Sequence, residues 1–311
     1  MRARKNTKHI HAKKQIPPRS ARRDDNNLTL AVKWRVTSGG VSVNVSDFAM
    51  TSDRGSFVDF EHASVARGEK VVLHDISLRI ASGEHIAILG PNGCGKSTLI
   101  KTMTCECYPI AGEGVRARIF GRERWDVFAL RKRLGVVAAE FPSERTLHTL
   151  GRDAVITGFF SSSTIWPELH VTEAMRERAA AVLDQLEAGH LAEKPVGEMS
   201  AGEMRRVLIG RALVHDPEML LIDEPSNALD LAAQSELRQS LRRLAQRGVG
   251  IVLITHHLAD ILPEIDRVVM LRAGRIFADG PKSELLTEDR LQKLFGVPVT
   301  VGRRDGFYHV W

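Results

Sequence analysis

The chain has few cysteines, no long apolar run and, outside its first residues, no basic excess. Three cysteines in 311 residues, two of them at positions 105 and 107, cannot build a disulfide scaffold and suit a reducing compartment. Apolar runs such as 86–89 and 251–254 are far shorter than the ~18 residues a membrane span needs. The net charge of +6 belongs to the N-terminal stretch. Residues 1–49 carry 11 Lys/Arg against Asp24, Asp25 and Asp47, a balance of +8, so residues 50–311 stand at −2. A body of that charge offers no nucleic-acid face. It also holds no internal repeat and no low-complexity tract. What is present is ordinary for a globular protein: 43% apolar and 26% charged residues exclude overall disorder and a fibrous chain.

Up to about Asp53 no apolar periodicity develops, and Pro17-Pro18 and Gly39-Gly40 interrupt the chain. An acid-free, Arg-rich start resembles a transit peptide but lacks an amphipathic face. A basic arm for RNA or an anionic membrane is a second reading. The favoured one takes Met50 as the natural start and residues 1–55 as a basic extension, disordered or non-native. Residues 56–300 then form the main domain, with a helical insert over about 145–200, and 301–311 a C-terminal strand and tail.

Within the body, 57–64 and 71–80 alternate apolar and polar residues, as strands of a half-exposed antiparallel layer do. The unbroken runs 86–89, 219–222, 251–254 and 268–271 predict strands of a parallel sheet buried on both faces. Leu237, Leu241 and Leu244 mark a helix stopped at Gly248; Met175, Ala179, Val182, Leu183 and Leu186 mark another, opened by Thr172 and closed by Gly189. The fold class is therefore α/β: a phosphate-loop core with a parallel sheet, an antiparallel β subdomain and a helical insert.

Gly90-Pro91-Asn92-Gly93-Cys94-Gly95-Lys96-Ser97, followed by Thr98, fits G-x-x-x-x-G-K-[ST] between a buried strand and a helix. Its amides can wrap a triphosphate, with the helix N-terminus aimed at the same anion. Lys96 should bridge the β- and γ-phosphates and the Ser97 hydroxyl should ligate Mg²⁺. A second buried run ends in Asp223 and Glu224: the first acid is expected to hold Mg²⁺, the second to polarise the attacking water.

Met199-Ser200-Ala201-Gly202-Glu203 opens a helix about twenty residues before Asp223. It resembles the signature of ATP-binding cassette (ABC) proteins, usually Leu-Ser-Gly-Gly-Gln. Ser226-Asn227-Ala228-Leu229-Asp230 resembles their D-loop and Thr255-His256 their switch histidine, so residues 57–300 are similar to an ABC-type ATPase. That resemblance implies Mg-dependent hydrolysis of ATP by two cassettes paired head-to-tail, here a homodimer. Ser200, Ala201, Gly202 and Glu203 would close on the partner's ATP, Glu224 would be the general base, and His256 would contact the γ-phosphate. Asp230 would couple the two sites, and His257 is read as a bystander.

Two positions depart from the pattern. Arg67 stands where an aromatic residue usually stacks on adenine; a guanidinium can take that place. Ala139 stands where a glutamine is expected, with Glu140 beside it. Together with Gly158-Phe159-Phe160 and the Arg67-Gly68 turn, this resembles the stand-alone, molybdate-type ModF-like group. Phe159, Phe160 and Trp166 are read as a small core, and Cys105-Glu106-Cys107 as too sparse for a metal site. The expected function is the cytoplasmic ATPase subunit of a transporter, peripheral at the inner face of the membrane and energising separately encoded permease subunits. The alternative is a soluble stand-alone cassette acting on another protein or nucleic acid.

Overall fold

A computed structural model describes residues 55–138, 146–162, 164–165 and 168–311. The basic extension, Ala139, Glu140 and Trp166 lie outside the described residues.

Strands β1 (Ser56–Arg67) and β2 (Lys70–Ala81) form a long hairpin, and β1 pairs on its other edge with β4 (Arg116–Ile119). All pairings in this layer are antiparallel, as the alternation predicts. The hairpin is bulged where His62 and Asp75 adopt left-handed backbone and pair through their side chains at 2.8 Å.

The second sheet has the order β5-β6-β7-β3-β8-β9. It contains β3 (His85–Leu89), β5 (Leu134–Val137), β6 (Met219–Asp223), β7 (Gly250–Thr255), β8 (Arg267–Arg272) and β9 (Arg275–Pro281). All neighbours are parallel except β9, which folds back antiparallel on β8. Ile86, Ile88, Leu221, Val252 and Ile254 are fully buried, each burial worth about 1.5–3 kcal/mol. These side chains fill one face against the antiparallel layer, and their neighbours Ala87, Leu89, Leu220, Leu253 and Met270 fill the other, under the helices.

The helices are α1 (Lys96–Met103), α2 (Val127–Arg131), α3 (Gly151–Ile156), α4 (Glu173–Gln185), α5 (Ala201–Leu213), α6 (Leu231–Gln246), α7 (Lys282–Leu285) and α8 (Glu288–Phe295). Helices α3 and α4 make the insert and pack on α5. Thr172 caps α4 as expected, but the helix ends at Leu186, where Glu187 turns left-handed, and not at Gly189. The main-chain bond from Ala188 N to Leu183 O closes that end before the glycine is reached. Phe159 and Phe160 are partly buried against the main core and do not form a small core of their own. The last residues form a hairpin, β10 (Val301–Arg304) with β11 (Phe307–Val310), and Tyr308 is buried in the main core.

The register brings the strand ends into line. Leu89 is opposite Thr255, and Ile254 opposite Asp223, so the segments leaving β3, β7 and β6 emerge side by side. The carboxyl ends of parallel strands are where α/β proteins place their chemistry.

Candidate functional site at the strand ends

The glycine-rich loop leaves β3 with Gly90 N bonded to Thr255 O at 3.3 Å and returns into α1 at Gly95. Gly95 caps that helix with φ 111°, and a Cβ there would come within 2.8 Å of Leu73 Cδ2, so only glycine fits without strain. Pro91, Asn92 and Gly93 lie toward the solvent, as does the Ser97 side chain in the first turn of α1, while Cys94 and Thr98 are buried. Burial raises the Cys94 thiol above its usual range, against the pull of Lys96.

The loop is also held from a residue that the sequence pattern did not single out. Gly274, in the β8–β9 turn, donates its amide to Cys94 O at 2.9 Å and accepts from His74 N at 2.8 Å. Its φ is +72°, and a Cβ would lie 2.0 Å from Val72 O. The signal was the Arg272-Ala273-Gly274-Arg275 turn between two strands, legible as a turn but not as a brace.

Lys96, Glu224 and His256 converge. Lys96 Nζ donates to Gly90 O at 2.7 Å and approaches Glu224 Oε1 at 3.2 Å; both residues are less than a tenth exposed. Glu224 Oε2 meets His256 Nδ1 at 2.7 Å. Glu224 follows β6 in left-handed backbone, φ 45°, fixed by its amide bond to Ile254 O at 2.8 Å. Such a conformation costs about 1–3 kcal/mol for a non-glycine residue and is kept where surrounding bonds over-determine it. Asp223 is half-buried at the end of β6.

Two buried charged residues join this group that the sequence reading missed. Asp260, 3% exposed, accepts hydroxyl bonds from Ser226 at 2.9 Å and Thr255 at 2.8 Å, and burial raises its carboxyl above the usual range. Arg205 on α5, 1% exposed, donates to Ala138 O at 3.0 Å and lies within the electrostatic reach of Asp223 and Asp260. Burial pulls its pKa down, and the two acids oppose that. Asp260 could have been noticed as an acid inside the apolar stretch Leu258-Ala259-Asp260-Ile261-Leu262.

The remaining sequence-marked residues stand on other elements. Ser200 caps α5 in a capping box: its Oγ accepts from Glu203 N at 3.2 Å, and the Glu203 carboxylate accepts from Ser200 N at 2.7 Å. Lys194 adds an ion pair at 2.8 Å and holds the Glu203 carboxyl below its usual range. Ala201 follows in the first turn, and at Gly202 a Cβ would meet Ala233 Cβ of α6 at 2.8 Å. Asp230 caps α6 through Ala233 N at 2.8 Å. Arg67 is exposed at the tip of the β1–β2 hairpin, and His257 is exposed beside His256, ring centroids 3.8 Å apart. Amides at a helix N-terminus, a buried cation, and a carboxylate paired with an imidazole make a place where an anion and a proton acceptor can meet.

The family described as ABC transporter matches residues 73–227. A hemin import ATP-binding protein, HmuV of Bradyrhizobium diazoefficiens, is 30% identical over 264 residues, covering 81% of this chain and 93% of its own. Among solved structures, CbiO1 of Clostridium perfringens, part of the ABC transporter complex CbiONQ, superposes with a TM-score of 0.64 at 26% identity, covering 78% of this chain and 94% of that one. A dimeric ATP-binding cassette bound to ADP and Pi superposes with a TM-score of 0.60 at 25% identity over 72% of this chain and 98% of that one. With the fold, the aligned strand ends and these likenesses together, the chain belongs to the ABC transporter ATP-binding proteins.

Proposed function

We propose that this chain hydrolyses Mg-ATP at the aligned ends of β3, β6 and β7 and passes the resulting closure to separately encoded permease subunits. The observation that carries this reading is the buried convergence of Lys96, Glu224 and His256. Main-chain N–H groups of the loop within residues 92–98 cradle the phosphates and Lys96 neutralises them. Glu224 accepts the proton of the attacking water, and His256, bonded to the same carboxylate, orients it toward the γ-phosphate. Ser97 in the first turn of α1 and Asp223 at the end of β6 supply hard oxygen donors, a hydroxyl and a carboxylate, which suit Mg²⁺. When bound, that ion would neutralise charge on the phosphates.

One chain carries one phosphate loop and one Ser200-Ala201-Gly202-Glu203 cap, so a head-to-tail homodimer completes two sites. Arg67 would lie against the base and Asp230 across the dimer interface. The dimeric relative and the transporter-complex relative support this assembly.

For the membrane side, a cavity of about 240 Å³ opens between β5 and α5, lined by Glu106, Arg131, Val136, Arg211 and His215 among others. It adjoins a second of about 100 Å³ that shares Glu106, Arg131, Leu134 and Val136. Exposed Val127 and Phe128 on α2 stand beside this second hollow. A permease's cytoplasmic helix is the proposed occupant of this mixed groove, where Arg131, Arg211 and His215 stand with Glu106 beside Leu134 and Val136. Among the described residues no helix is long and apolar enough to cross a membrane, in keeping with a peripheral subunit. The stand-alone, ModF-like alternative rests in part on Ala139 and Glu140, which lie outside the described residues.

The test is Glu224→Gln. Turnover should fall at least about 100-fold while Mg-ATP still binds and a dimer accumulates on a sizing column. Full activity in that variant would remove Glu224 as the base. Pull-down of the same variant with Mg-ATP from solubilised membranes should bring a multi-span protein with it; a bare homodimer would favour the stand-alone cassette.

A further inference from the structure

The segments carrying Glu224 and His256 leave different strands, and what holds them in register is a third carboxylate. Ser226 follows Glu224 by two residues, and Thr255 immediately precedes His256. Both hydroxyls converge on one oxygen, Oδ2 of Asp260, at 2.9 and 2.8 Å. All three residues are buried, with Thr255 fully so. Thr255 Oγ1 also accepts from His257 N at 2.9 Å, which leaves its single proton to donate. Two carboxylates compete for that proton, Asp260 at 2.8 Å and Glu224 Oε2 at 3.4 Å. The longer contact is at the limit of a hydrogen bond, so the proton goes to Asp260. Glu224 Oε2 therefore keeps its lone pairs for His256, 2.7 Å away.

We propose that Asp260 is a positioning residue for hydrolysis: a buried acceptor that ties the Glu224 segment to the His256 segment and draws the Thr255 hydroxyl off the base. This rests on the assignment of Glu224 as base given above. Asp260 is buried behind Ser226 and Thr255 and acts through their hydroxyls. Its work needs an acceptor oxygen at that point, and an amide oxygen can serve as well as a carboxylate. Arg238 and His257 face the group electrostatically and Arg205 interacts with its charge, so a neutral replacement also removes that attraction, equally in the Ala and Asn variants.

The experiment uses the full chain and follows steady-state ATPase kinetics, binding of a fluorescent ATP analogue and thermal unfolding for Asp260→Ala, Asp260→Asn and Glu224→Gln side by side. Asp260→Ala should lower kcat at least about tenfold with KM and analogue affinity within about twofold of the parent, since small displacements of reacting groups cost rate more than binding. Asp260→Asn should recover most of that kcat. Equal loss in the Ala and Asn variants would overturn the acceptor role, as would an unchanged kcat in Asp260→Ala or a fall in analogue affinity matching the fall in kcat. If Asp260→Ala does not fold, Ser226→Ala and Thr255→Val take its place; each should lower kcat without changing KM, and normal kcat in both would overturn the proposal. Loss of turnover in Glu224→Gln beside normal Asp260 variants would refute the clamp alone, whereas full turnover in Glu224→Gln would remove the base and the clamp together.

Discussion

The strand ends and the α5 N-terminus are built by opposite means. At the strand ends, the glycine-rich loop, Glu224 and His256 hang from fully buried strands and are cross-braced by main-chain bonds: Gly90 to Thr255, Glu224 to Ile254, and Gly274 to Cys94. Ser200 and Gly202 hang instead from a helix cap, with an exposed Ser200, a carboxylate that closes back on its own turn and one partly exposed ion pair to Lys194. The first arrangement fixes geometry before any ligand arrives, which suits groups that must sit within tenths of an ångström of the reacting atoms. The second holds a helix end through a local cap and a partly exposed ion pair, with few bonds to the strands.

Four substitutions or measurements sharpen this contrast. The largest effect is expected on the braced side. Gly274→Ala places a Cβ in the path of Val72 O and in left-handed backbone, and should cost roughly 2–4 kcal/mol in urea unfolding while weakening ATP binding. Unchanged ATP affinity in a destabilised protein would show that the brace serves the fold and not the loop.

On the capped side the effect is smaller. Ser200→Ala should cost about 1 kcal/mol, the worth of an N-cap, and reduce turnover without weakening ATP binding to the monomer. Loss of monomer binding would refute a role across the dimer. Because the Glu203 carboxyl is held low by Lys194 and the Ser200 amide, its contribution is present above the unfolded value, 4.5, and fades as pH falls through the lower folded one. Glu203→Gln should therefore lower stability in the neutral region, where that contribution is present, and flatten the acid limb, with little change at the acid end.

The smallest effect concerns the floor of the braced side. Burial raises the Cys105 thiol to about 11. At pH 8 it should label with iodoacetamide on the order of 100-fold more slowly than a free thiol, read by peptide mapping. Fast labelling would mean that the end of α1 opens far more readily than its neighbours.

Much of this was legible because the marked residues sit on single loops between strongly patterned elements. The run 86–89, the loop 90–95 and α1 are consecutive in the chain, so the sequence order is the spatial order. The same holds for β6 with Asp223 and Glu224, and for β7 with His256. Elements with weaker local pattern escaped. β5 has four residues and a glycine, and β9 is an edge strand with half-buried side chains and no clean alternation. Asp260 and Gly274 were missed because their meaning is a contact across the fold: Asp260 meets Ser226 from 34 residues away, and Gly274 meets Cys94 through a turn with no chemistry of its own. Ser200 and Asp230 were read for what they offer a partner, while within the chain each is first of all a helix cap.

Arg205 binds the two regions into one equilibrium. The helix that begins at Ser200 carries, one turn further on, a buried cation seated between Ala138 O and the field of Asp223 and Asp260. Moving α5 moves that cation relative to the acids, and changing the charge on the acids changes the free energy of keeping α5 where it is. By reciprocity, any displacement of α5 that changes its interaction with Asp223 and Asp260 would be opposed or favoured, by the same amount, by a change of charge on those acids.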